Sequence, residues 1–172
     1  MQNTKRVILL AWLLLGNTIL VVAQFGLPEG SQQTMLGLTT RIADIDSSLT
    51  VDQFSLAQRR ELFKRLFQAD QQYRDSLVNG AKSELKQQLF SNRMAANDQA
   101  NQVLLRKIVS RFGWPTRKEY GDQATFAAWL IVWHSNLTYQ NRYYPLIKRA
   151  YQQGLIKQNP VELQKRLTRY CK

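Results

Sequence analysis

The chain predicts a single-domain, all-α bundle of five or six helices around a central apolar helix at about residues 123–135. Three observations carry that prediction. Apolar residues recur at helical spacing through the periodic stretches. The breaks between those stretches fall at Asn79-Gly80, Gly113-Trp114-Pro115, Gly154 and Asn159-Pro160, residue types that stop and start helices. No stretch alternates apolar with polar residues as a half-buried strand does. At 172 residues the chain is long enough for one domain with its own core and short for two.

The first segment is read as an export signal. Met1 to Arg6 is short and basic, residues 7–22 form an apolar run, and Val21-Val22-Ala23 supplies a small-residue cleavage site, the layout of a secretory leader. The run of 16 residues contains Gly16 and Asn17, short against the roughly 18 to 20 apolar residues of a membrane-spanning helix. Cleavage after Ala23 is therefore expected, with an uncleaved anchor through residues 7–22 as the alternative. Either places the remainder in the periplasm or outside the cell. Residues 24–34 mix Gly, Pro and polar side chains and read as a linker, leaving 35–172 as the helical domain. The single cysteine, Cys171, rules out an internal disulfide and reads as an unpaired tail thiol.

The helices follow in order. A short helix is expected around 35–46. Thr50-Val-Asp-Gln53 and Ser55-Leu-Ala-Gln58 both have capping-box spacing, and a long helix begins there with Leu62, Phe63, Leu66 and Phe67 on its apolar stripe. A second runs from about Lys82 to Phe112, with Met94, Leu105, Ile108 and Phe112 on its stripe. Gly113 ends it, and Trp114 is held extended by Pro115. Thr116 to Gly121 reads as a loop and Asp122 as the N-cap of the central helix. That helix is apolar around most of its circumference, and at about a dozen residues it is too short to span a membrane. The fifth, about Thr138 to Gln153, carries Gln140, Tyr144, Ile147 and Tyr151 on one stripe, with Pro145 in its first turn or kinking it. Asn159-Pro160-Val161-Glu162 then supplies an N-cap, a proline at the first helical position and an acid, starting a last helix with Leu163, Leu167 and Tyr170.

The net charge of +12 falls to +10 without residues 1–23, which hold Lys5, Arg6 and no acid. From Gln123 onward eight cations face Glu162 alone. Such an excess attracts an anionic polymer or a membrane surface, and the tyrosines interleaved with it would suit a single strand, but an exported destination argues against nucleic acid.

Candidate chemistry rests on polar residues at otherwise apolar helical positions. Asp70 and Arg74, four apart, lie on the core side of the first long helix, where a carboxylate and a guanidinium must pair. Asp98 and Asn101 interrupt the stripe of the second. His134, the only histidine, closes the central helix. One histidine and one terminal cysteine cannot build a zinc site, and no phosphate loop, nucleophile elbow or paired-carboxylate motif occurs, so no metal or cofactor is expected. Antiparallel packing would bring Asp70, Arg74, Asn101, His134 and Gln140 to one pocket. There His134 would serve as general base, Asp70 would orient it, and Arg74 and Asn101 would hold an anionic or carbonyl group. A core histidine packed against Trp133 is the competing reading.

The same residues carry a resemblance. Asp70-Gln71-Gln72-Tyr73-Arg74, Asn101 before Leu104 and Ile108, Gly113-Trp114-Pro115-Thr116, Gly121, Ala128-Trp129-Leu130, His134, Gln140 and Leu146 resemble the bacterial helical family called domain of unknown function 6624, over roughly residues 60–150. The resemblance adds Trp114 and Gln140 to Arg74 and Asn101 as ligand-binding positions beside His134 and Asp70, and brings no activity with it. The chain departs from the family at its C-terminal tail, where no Asp-Arg pair follows the fifth helix, which implies a member that binds without turnover. Three functions are therefore expected, in this order: binding of an unidentified small ligand or protein partner at the cell envelope, a small hydrolase or transferase using His134 with Asp70 or Asn101, and a polyanion-binding surface.

Overall fold

The first long helix starts where the capping box predicts. Ser55 accepts from the Gln58 backbone N–H at 3.3 Å, and the Gln58 side chain accepts from the Ser55 N–H at 2.8 Å, so two of the orphan N–H groups of a helix start are satisfied reciprocally. A computed structural model describes residues 43–80 and 83–170. Among them it shows α1 (Leu56–Asn79), α2 (Glu84–Phe112), α3 (Arg117–His134), α4 (Leu137–Gln152) and α5 (Val161–Tyr170), and no strand. The protein is an all-α bundle. The expected export signal, the expected 24–34 linker and Cys171 lie outside the described residues, as does 35–42 of the helix expected at 35–46.

Residues 43–46 of that expected helix are not helical. Ile45 is buried, and the Asp44 backbone and carboxylate are both held by Asn97, so tertiary bonds replace an intrahelical ladder. Thr50 likewise starts no helix. Val51 is buried and its carbonyl accepts from the Phe54 N–H at 2.9 Å in a tight turn. Lys107 of α2 fastens this segment, its ammonium donating to the carbonyls of Ser47, Ser48 and Leu49 at 2.9, 3.3 and 2.9 Å.

The largest correction falls between α2 and the central helix. Thr116 to Gly121 is not a loop. Thr116 caps a short helical turn, accepting from the Glu119 N–H at 3.3 Å, and Arg117 N–H donates to Leu155 O at 2.9 Å. The chain then bends at Gly121, with φ 83° and ψ 172°, inside the Arg117–His134 span. That conformation is nearly closed to side-chain-bearing residues, and Gly113, at φ 81° and ψ −178°, ends α2 the same way. Asp122 caps nothing. Its carboxylate bonds Arg117 and Lys157, each at 2.6 Å.

α3 packs against α1, α2 and α4, and α1 lies broadly against both α2 and α3. Phe63 and Leu66 of α1, Leu104, Leu105 and Ile108 of α2, Ala127, Ala128 and Val132 of α3, Ile147 of α4 and Leu163 of α5 are buried together. Each large apolar side chain among them contributes about 1.5–3 kcal/mol. α3 is not buried all round. Phe126, Trp129 and Trp133 form a partly exposed stack, with centroids 6.1 and 5.2 Å apart and planes within 12°. In α4, Pro145 sits in mid-helix on the exposed side, and Tyr170 of α5 is 61% exposed. Among the described residues no helix is long and apolar enough to cross a membrane.

Candidate functional site

Asp70 is 2% exposed, and a carboxylate that deep needs every lone pair answered. Its Oδ1 lies 3.0 Å from His134 Nδ1. Its Oδ2 accepts from Gln71 Nε2 at 2.5 Å and faces Arg74 Nε at 3.6 Å, an ion-pair distance without a hydrogen bond. The i, i+4 spacing on α1 brings Asp70 and Arg74 together. His134 arrives from the C-terminal end of α3 and keeps one fifth of its side chain exposed. With Asp70 as the carboxylate, Nδ1–H is the donor across this contact, and a neutral ring then keeps its lone pair on Nε2.

Arg74 is shared. Its Nη2 donates to Asp98 Oδ1 of α2 at 2.5 Å and its Nη1 to Met94 Sδ at 3.3 Å. Burial pushes the Asp98 carboxyl above the usual range, outweighing the opposing pull of Arg74, and Asp70 adds repulsion. The guanidinium divides its charge between two carboxylates. His134 lies within electrostatic reach of the same carboxyl. The result is one cluster of Asp70, Arg74, Asp98 and His134 drawn from three helices.

Buried amides hold the backbone on both sides of the His134–Asp70 pair. On α2, Asn101 donates to Leu66 O at 3.1 Å and Asn97 to Ala69 O at 3.0 Å. Those carbonyls lie one turn before Asp70 and immediately before it, and both asparagines are fully buried. Asn97 also bridges to Asp44, which pairs with Arg93 at 2.9 Å. On the other side Gln140, fully buried, donates to Trp133 O and Ser135 O, both at 2.9 Å. These are the carbonyls flanking His134, at a helix end where they lack intrahelical partners. Arg166 of α5 adds a bond to Trp133 O at 3.2 Å.

The residues singled out from the sequence thus divide. Asp70, Arg74 and His134 meet directly. Asn101 and Gln140 join them through backbone carbonyls, and the Asn101 Oδ1 and Gln140 Oε1 are buried without a partner. Trp114 packs elsewhere, 6.2 Å from the Tyr143 ring. Arg74, expected to anchor an anionic group, is turned toward two carboxylates of its own chain. Asn97 gives no signal in the sequence because the stripe reads through Met94 and Asp98, whereas the buried face of α2 runs through Asn97, Asn101, Leu104 and Ile108, and Asp44 gives none because its segment reads as helix. Asp98 stands out as a stripe interruption, and its partner Arg74 does too.

Among the described residues no group of three His, Cys, Asp or Glu is placed to hold a metal ion. No described serine, threonine or cysteine bonds the imidazole either. Ser135, next in sequence, is buried and gives its hydroxyl to Val132 O at 2.6 Å. The arrangement can take a proton at Nε2 and return it.

A family of unknown function, DUF6624, matches residues 57–166, a span that contains Asp70, Arg74, Asn101, His134 and Gln140. No curated protein and no solved structure matches the chain.

Proposed function

This chain belongs to the family of unknown function DUF6624, and from that premise we propose that it is a small acid–base enzyme, a hydrolase or transferase with His134 as the proton-transfer group. The observation that carries the reading is the 3.0 Å contact between His134 Nδ1 and the buried Asp70 carboxylate on an imidazole that remains partly exposed. A carboxylate on one ring nitrogen fixes the tautomer and supports the imidazolium that forms when the other nitrogen takes a proton. Asp70 is here a positioning residue. With no nucleophilic side chain on the imidazole among the described residues, the proton comes from water or from a substrate hydroxyl. Nε2 takes that proton as the oxygen attacks a carbonyl or phosphoryl centre, and the imidazolium returns it to the departing group. The export expected from the sequence of residues 1–23 would put this action at the cell envelope.

A panel of chromogenic esters and phosphomonoesters tests the reading. Turnover by the purified protein should fall about 100-fold or more in His134→Gln, with the fold kept. Turnover equal to wild type in that variant contradicts it.

A second reading is binding of a ligand or partner without turnover. It is favoured by one observation: Arg74, the natural holder of a developing anion, is engaged by Asp70 and Asp98. Saturable binding that His134→Gln abolishes, in a protein inert toward the panel, is the outcome this reading predicts.

A further inference from the structure

The last helix presents a cationic surface beside Trp133. A groove of about 490 Å3 lies between α5 and the α3–α4 turn, with Trp133, Leu137 and Tyr170 as its apolar lining and Lys165, Arg166 and Arg169 as its cations. Glu162 is the one carboxylate among its described lining residues. The groove is of a size that takes a small molecule. His134 is not among its lining residues, so the groove is a site separate from the acid–base pair.

The cations differ in how far they are committed. Lys165 reaches Glu162 at 2.7 Å, but both side chains are about two-thirds exposed, where such a pair holds weakly. Arg166 is ordered in advance, its guanidinium 5.5 Å from the Trp133 ring centroid and bonded to the Trp133 carbonyl. Arg169 has no hydrogen bond or ion pair among the described residues, and Tyr170 is left largely in water. Among the described lining residues, three cations against one carboxylate leave two positive charges over. That matches the charge of a phosphomonoester at neutral pH, about −1.5 to −2, and guanidinium forks fit its oxygens in pairs. A bare ion would make no use of the indole, the phenol and the leucine.

We infer that this groove binds a phosphomonoester carried on an apolar body, the phosphate held by Arg166, Arg169 and Lys165 and the body covered by Trp133, Leu137 and Tyr170. Three of the eight cations that follow Gln123 then act together at one shaped site.

Calorimetric titration of the full chain at low salt tests this, with inorganic phosphate, phenyl phosphate and phenol as probes. Phenyl phosphate should bind at least about tenfold tighter than either fragment, and Arg166→Ala and Arg169→Ala should each weaken it about tenfold. Adenosine monophosphate and dihexanoylphosphatidic acid distinguish an aromatic from an aliphatic body, and a preference for either over inorganic phosphate supports the groove. Inorganic phosphate binding as tightly as phenyl phosphate overturns the inference. So does an unchanged affinity in Arg169→Ala, whose exposed and unbonded side chain can be removed without disturbing the fold.

Discussion

Gln140 grips the chain on both sides of His134. Its side-chain amide donates at 2.9 Å to the carbonyls of Trp133 and Ser135, so the histidine sits on backbone fixed from α4 while its ring is fixed from α1. Asn97 and Asn101 do the same for Asp70 through the carbonyls of Ala69 and Leu66. Each half of the pair is held twice, once at the side chain and once at the main chain, and such support keeps a donor and acceptor at working distance. Gln140→Leu should remove the grip, leaving the Ser135 carbonyl unpaired and the Trp133 carbonyl with Arg166 alone, and lower unfolding free energy by about 1–3 kcal/mol. It should also alter the imidazole resonances of His134. A variant that loses stability with those resonances unmoved would limit Gln140 to packing.

Asp70→Ala should be among the most destabilising single substitutions, at about 3–5 kcal/mol, because Arg74 and His134 both lose their buried partner. Asp70→Asn keeps the volume and should cost less. Urea unfolding of the two variants checks the order, and equal, small losses would contradict the burial argument.

Asp98 makes stability fall as pH rises. Its folded carboxyl is raised above the usual value of 3.8, so through that window the folded protein binds more protons than the unfolded chain. Linkage then makes the Asp98 contribution full below the unfolded value and lost as pH rises through the folded one. Above about pH 4, Asp98→Asn should flatten this part of the stability profile. A profile with the same slope in both proteins would show that Asp98 titrates normally.

Gly121 and Gly113 are required for their backbone alone. A methyl group at either would meet nothing within 4 Å, yet their positive φ with extended ψ should make Gly121→Ala and Gly113→Ala each cost about 1–3 kcal/mol. Thermal unfolding measures this, and neutral substitutions would mean that the bends relax.

Lys107→Met should release the segment at 47–49. Loss of three carbonyl contacts should raise amide exchange across residues 43–54 while leaving α1 and α3 protected. Uniform exchange across the protein would assign Lys107 a global role instead.

Much of the fold is legible in the sequence, and the exceptions share a cause. The Ser55/Gln58 box, the Gly113 stop and the Asn159-Pro160 start act within one turn of chain, and each is where local chemistry puts it. Thr50/Gln53 has the same spacing as Ser55/Gln58 and starts nothing, because buried Val51 ties its segment into a turn. Thr116-Arg117-Lys118-Glu119 carries a capping signal that competes with Asp122, and the structure caps at Thr116. Asp70, Arg74 and His134 are legible as a set because polar residues at apolar positions must find one another. Which residues hold the backbone beneath them is not. Asn97, Asn101 and Gln140 reach carbonyls of other elements, and a carbonyl has no letter in a sequence.

The central claim is that Asp70 holds His134 as the Nδ1–H tautomer and leaves Nε2 to accept a proton. Because His134 is the only histidine, a long-range proton–nitrogen correlation spectrum of the 15N-labelled protein, at a pH where the ring is neutral, reads this directly. Wild type should show a protonated Nδ1 and a bare Nε2, with that preference lost in Asp70→Ala. A ring carrying its proton on Nε2, or one indifferent to Asp70, would contradict it.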